Sequence, residues 1–85
     1  MIAFLTLELR IEAAHSLKDK LRASFNVSVA ELDAADLWQR ATVGVASISG
    51  SRDYLRGLME KVERSATRIA NNAGAEITDS FIEYF

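Results

Sequence analysis

Between Phe25 and Ile48 the periodicity of the chain is that of a hairpin. Apolar side chains alternate at Phe25, Val27 and Val29, the run Glu31-Leu32-Asp33-Ala34-Ala35-Asp36 supplies turn-forming aspartates, and alternation resumes through Ala41, Val43 and Val45. The partner face of the two strands carries Asn26, Ser28 and Ala30 on the first, and Trp38, Arg40, Thr42, Gly44 and Ala46 on the second. Gly44 within a strand marks a bulge or a close approach.

The flanks look built onto this hairpin. Before it, Leu5, Leu7, Leu9 and Ile11 alternate with Phe4, Thr6, Glu8 and Arg10, a half-buried strand. The linker Glu12-Ala13-Ala14-His15 then leads to Ser16, a helix cap with Asp19 three residues on, and Leu17, Leu21 and Phe25 recur at every fourth position. After the hairpin, Ser51 caps a second helix with Asp53 in its first turn, and Leu55, Leu58, Val62, Ala66 and Ile69 make its apolar stripe. Asn71-Asn72-Ala73-Gly74 is a stop signal, and Glu76 to Phe85 reads as an edge strand. Strand-helix-strand-strand-helix-strand is the βαββαβ, ferredoxin-like α+β pattern. It predicts one domain over residues 1–85, with both helices on one face of a four-stranded antiparallel sheet and the other face open.

The first helix is the weak point of this scheme. About ten residues at ~1.5 Å span ~15 Å, while a strand of eight or nine residues at ~3.3 Å spans nearly twice that.

Composition narrows the chemistry. With no cysteine and one histidine, neither a disulfide framework nor a cysteine or multi-histidine metal site is expected within the chain. A net charge of −2 advertises no overall field for nucleic acid, so any such contact has to be local. Apolar runs are only a few residues long, which predicts no membrane span and a cytoplasmic location.

Several motifs together resemble the small bacterial YlxP-like family, a domain of unknown function. They are Ser16-Leu17-Lys18-Asp19-Lys20, then Leu21-Arg22 with Phe25-Asn26-Val27-Ser28-Val29-Ala30-Glu31, and Asp36-Leu37-Trp38-Gln39-Arg40-Ala41 running into Gly44-Val45-Ala46. The resemblance implies a ferredoxin-like fold and supplies no reaction. Its members often lie in gene neighbourhoods of translation initiation and ribosome maturation factors, which implies the small ribosomal subunit or RNA as a partner. It also implies about ten further helical residues between Lys20 and Leu21. Here the two are adjacent, so either the first helix is short or a stretch near Lys18 to Leu21 is missing, and the second is the expectation.

The candidate binding residues follow from the pattern. Trp38 and Arg40, expected beside Asn26 and Ser28 on the open face, combine an aromatic platform with a guanidinium that can stack on a base or grip a peptide. The plainer reading is that Trp38 shields the sheet end or packs in a homodimer. Lys18, Lys20 and Arg22 form a basic cluster able to meet phosphate, although a solvated helix face is the plainer account of them. His15 is expected in the linker. The acidic turn fits no calcium loop, no G-x-S-x-G elbow accompanies any serine, and no aromatic-rich RNA-binding strand is present. The expectation is therefore a non-enzymatic binding module without cofactor or metal, with a homodimer or protein-interaction domain free of RNA contact as the alternative.

Overall fold

The computed structural model describes residues 1–32 and 40–85. In chain order the elements are β1 (Ile2–Arg10), α1 (Ile11–Ser24), β2 (Ser28–Leu32), β3 (Arg40–Ile48), α2 (Arg52–Asn72) and β4 (Asp79–Tyr84). The strands form one antiparallel sheet in the order β2-β3-β1-β4. This is the ferredoxin-like α+β arrangement, with β1 and β3 central.

One face of the sheet makes the core. Ala3, Leu5, Leu7 and Leu9 of β1, Val29 of β2, and Ala41, Val43 and Val45 of β3 are buried together with Leu17 and Leu21 of α1 and Leu55, Met59, Val62 and Ala66 of α2. Alternation along β1 and β3 thus sends every second side chain under the helical layer. Leu58 and Ile69, expected in the α2 stripe, lie half-buried at its margins, while Met59 and Ala70 are fully covered. Ser51 caps α2 as expected, its hydroxyl accepting from the Tyr54 N–H at 3.2 Å. At the other end Gly74, at φ 75°, permits a Schellman closure in which the Ala75 N–H donates to the Ala70 carbonyl at 2.9 Å and the Gly74 N–H to that of Asn71 at 3.1 Å.

The first helix differs from its expected bounds. It starts at Ile11 with Arg10 as an extended N-cap and no side-chain cap, so Ser16 lies inside the helix and Glu12 to His15 are not a linker. The physical reason is alanine. Ala13 and Ala14, both buried, continue the Leu17 and Leu21 stripe by one more turn, and alanine is the strongest helix former although its small side chain gives a weak apolar signal. Fourteen residues at ~1.5 Å span ~21 Å, which relieves much of the length difficulty.

The hairpin is also shifted. β2 begins at Ser28 and extends through Glu31 and Leu32, which were expected in the turn, because both still pair with β3 opposite Val43 and Thr42. Leu37, Trp38 and the aspartates at 33 and 36 lie outside the described residues. β4 is shorter than its expected span and forms an edge beside β1, with Phe81 opposite Thr6. Among the described residues no helix is long and apolar enough to cross a membrane.

Candidate functional site

Both helices cover the same side of the sheet, so the register fixes what the other side presents. Along β1 and β3 the outward pairs are Ile2 with Ile48, Phe4 with Ala46, Thr6 with Gly44, Glu8 with Thr42 and Arg10 with Arg40. β2 adds Ser28, Ala30 and Leu32 on one flank, and β4 adds Asp79, Phe81 and Glu83 on the other. Phe85 follows, tied to Ile2 by backbone hydrogen bonds of 2.8 and 2.9 Å.

This face is apolar where water meets it. Seven large apolar side chains are exposed among the described residues, and five of them stand here: Ile48 at 74%, Phe85 at 70%, Phe81 at 48%, Ile2 at 42% and Leu32 at 37%. A solitary exposed leucine is ordinary, whereas a contiguous group marks an interaction surface. Gly44 helps to make the group continuous. A Cβ there would meet Leu32 Cδ1 and Phe4 Cζ, each at 2.9 Å, so the missing side chain lets Leu32 from β2 and Phe4 from β1 close over the middle of β3. No bulge is involved, since Gly44 pairs in register with both Thr6 and Ala30.

Of the expected binding residues that the structure describes, Arg40 stands apart from Asn26 and Ser28. Arg40 is exposed at the hairpin end of the face, directly across from Arg10, and the neighbouring charge is Glu12, 3.8 Å from Arg10. Ser28 pairs instead with Ala46, six residues along β3 from Arg40, a separation of ~20 Å at ~3.4 Å per residue, and Asn26 lies further still from Arg40. Asn26 and Ser28 are exposed and share the edge of the sheet with the base of β2, not a pocket with Arg40.

The basic cluster of α1 divides likewise. Lys18 forms an ion pair with Glu31 at 3.5 Å and keeps only 18% of its side chain exposed. Arg22 donates to the Val29 carbonyl at 2.8 Å. Two of the three cations therefore clasp α1 to the edge strand β2, and only Lys20 remains in open solvent, unpaired among the described residues. His15 sits on the exposed surface of α1, 3.5 Å from Asp19 one turn on.

Other polar groups are structural. Ser80 Oγ donates to the Glu63 carboxylate at 2.6 Å, tying β4 to α2 beside a cleft of about 590 Å³ that Arg64, Thr67, Asn71 and Glu76 also line. Among the described residues no three His, Asp or Glu side chains are grouped closely enough to hold a metal ion.

Sequence periodicity sets Phe4 opposite Leu5 and Leu7 but does not single out Ile2, Phe81 or Phe85. The usable signal was that both faces of β1 and β4 carry bulky apolar residues, where one-sided burial leaves polar residues on the outside.

Comparison with known proteins supplies the family. Over residues 2–82 the chain matches the family model "Protein of unknown function (DUF503)". It is 39% identical over 72 residues to the uncharacterized protein YlxP of Bacillus subtilis (strain 168), a match covering 73% of this chain and 78% of that protein. Since 73% of 85 residues is about 62, some ten positions of the 72 have no counterpart in this chain. Among solved structures, the dinuclear metal binding peptidase YXEP of Bacillus subtilis, from the M20 family, is similar at TM-score 0.63 and 15% identity. That match takes in 99% of this chain and 25% of the peptidase. The de novo designed protein Foldit4 is similar at TM-score 0.62 and 15% identity over 100% of this chain and 99% of its own. An enzyme segment and a designed protein share this architecture, so these likenesses speak for the fold alone. The family match and the relative speak for descent: the chain belongs to the DUF503 family of proteins of unknown function, which YlxP represents.

Proposed function

We propose that the chain is a non-enzymatic, cytoplasmic binding module whose working surface is the open face of the sheet. The observation that carries this reading is the concentration of exposed apolar side chains, Ile2, Leu32, Ile48, Phe81 and Phe85, on the one face that no helix covers. Burying one such side chain fully is worth ~1.5–3 kcal/mol, so covering the group has several kcal/mol available to offset the cost of association. A surface of this composition suits protein more than phosphate. Arg40 and Arg10 stand at its hairpin end, where they add a charged rim to an apolar centre, the usual anatomy of a protein interface.

The family's association with translation and ribosome maturation genes makes the small ribosomal subunit the first partner to test. Co-sedimentation of the chain with small-subunit particles in 200 mM salt, which weakens simple phosphate contacts, compared with an Ile48→Asp/Phe81→Asp variant, decides the matter. Loss of binding in the variant supports the reading, and equal binding by both removes the open face from it.

The second reading, a homodimer joined face to face, is favoured by size. Strands of nine, five, nine and six residues, ~4.8 Å apart at ~3.3 Å per residue, present roughly 460 Å² of backbone, which side-chain relief raises toward the ~800 Å² that each partner of a standard interface buries. A self-associating wild type that the same double substitution converts to monomer, with no affinity for particles, selects this form.

A further inference from the structure

The outer ridge of α2 carries a second surface, of opposite character. Lys61, Arg64 and Arg68 follow one another at i, i+3 and i+7, a spacing that lines them up on one side of a helix over about 10 Å. All three are exposed, and among the described residues none is in an ion pair. The ridge faces away from the core, because the buried stripe of the same helix is Leu55, Met59, Val62 and Ala66.

Lys20 extends the ridge onto α1. Its neighbours one turn to either side, Ser16 and Ser24, border the grooves that α1 makes with Ala73 to Ala75 and with Gly57 and Lys61. Lys20 therefore lies on the side of α1 turned toward α2. It is the one cation of its cluster that neither Glu31 nor the Val29 carbonyl engages.

Charge is divided between the layers. α1 carries three cations and two acids and α2 five cations and three acids, so the helices hold a net +3 in a chain whose total is −2. The strands and connections hold the remaining −5. A modest overall charge thus conceals a basic helical layer on an acidic sheet.

We propose that Lys20, Lys61, Arg64 and Arg68 form a contact surface for the phosphate backbone of RNA. Arginine's planar fork pairs with phosphate oxygens bidentately, and the neighbouring Asn71 on α2 is exposed and able to donate to phosphate or sugar oxygens. A lipid surface is a poor occupant, because a helix that lies on a bilayer needs its apolar stripe free, and here that stripe is in the core. A protein partner is a poorer one, as Lys61, Arg64 and Arg68 set three like charges side by side and the one large exposed side chain on this side of α2, Tyr54, stands at the end of the ridge, where its ring can equally stack on a base. Glu60 and Glu63 flank one side of the ridge and oppose a polyanion there, which directs the strand toward the Lys20 side. This surface is independent of the open face.

The test is binding of the full chain to polyuridylate, followed by fluorescence anisotropy as salt rises from 50 to 200 mM. Four phosphate contacts to a single strand give a salt slope of about −2.8, a loss of roughly 50-fold over that range. A Lys61→Gln/Arg64→Gln/Arg68→Gln variant leaves one contact and a loss of about threefold, with an unchanged unfolding midpoint because all three side chains are exposed. Arg40→Gln and Ile48→Asp/Phe81→Asp are expected to bind like the wild type, which separates this surface from the open face. No binding at 50 mM, an unchanged slope in the triple variant, or tighter binding to phosphatidylglycerol vesicles than to the RNA would each overturn the proposal.

Discussion

The two faces of the central strands are built from similar residues and end in opposite states. On the inner face Leu5, Leu7, Val43 and Val45 have no exposure at all, while on the outer face Ile2 and Ile48 of the same two strands are 42% and 74% exposed. Local sequence does not separate them, since each is a bulky apolar side chain at a strand position. What separates them is the helical layer, which packs Leu17, Leu21, Leu55, Met59 and Val62 onto one face, while among the described residues no element packs on the other. An apolar face without a helical layer adds little to the stability of the isolated domain, because its side chains stay in water. On the reading proposed above, the inner face makes the fold and the outer face makes the contact.

Substitutions sharpen that contrast in order of expected size. Leu7→Ala removes a fully buried side chain under the helices and should cost about 2–5 kcal/mol, lowering the unfolding midpoint by roughly 10 °C or more. If thermal melts showed no such loss, the inner face would not be the core. Ser51→Ala strips the cap of the helix that covers this face, and a loss of about 1 kcal/mol is expected in chemical denaturation. Lys18→Ala breaks the pair that ties α1 to β2; with Glu31 40% exposed, a loss of no more than about 1 kcal/mol should appear. Gly44→Ala belongs to the outer face and should be the mildest. Its new methyl meets only the ends of Leu32 and Phe4, which can swing into solvent, so stability should change by less than about 1 kcal/mol. A large loss there would mean that the outer face is packed as firmly as the inner one.

The fold was legible because period and punctuation agree along most of the chain. β1, β3 and α2 carry clean two-residue or three-four spacings, and Ser51 and Gly74 mark the ends of α2 in both the sequence and the structure. The start of α1 was not legible, because Ala13 and Ala14 bury little area and read as linker until Leu17 and Leu21 place them on the same stripe. The candidate site was legible only by face. Alternation correctly placed Arg40 on the side of the sheet shared with Ser28, but distance along the strands depends on register, and the register sets Ser28 against Ala46. The partners of Lys18 and Arg22 were equally hidden, since Glu31 and the Val29 carbonyl reach them only once the edge strand folds against α1. The basic ridge of α2 was visible as charge but not as a surface, because its meaning depends on which cations remain unpaired.

The measurement that bears most directly on the role of the open face is the sedimentation velocity of the wild-type chain and of the Ile48→Asp/Phe81→Asp variant, each alone and with small-subunit particles. Both side chains are exposed, so the variant should stay folded. At 200 mM salt, where phosphate contact through the α2 ridge is weakest, the wild type is expected to sediment faster than a monomer in at least one of the two conditions, and the variant as a monomer in both. Identical sedimentation of the two proteins, alone and with particles, would contradict the assignment of this face as the binding surface.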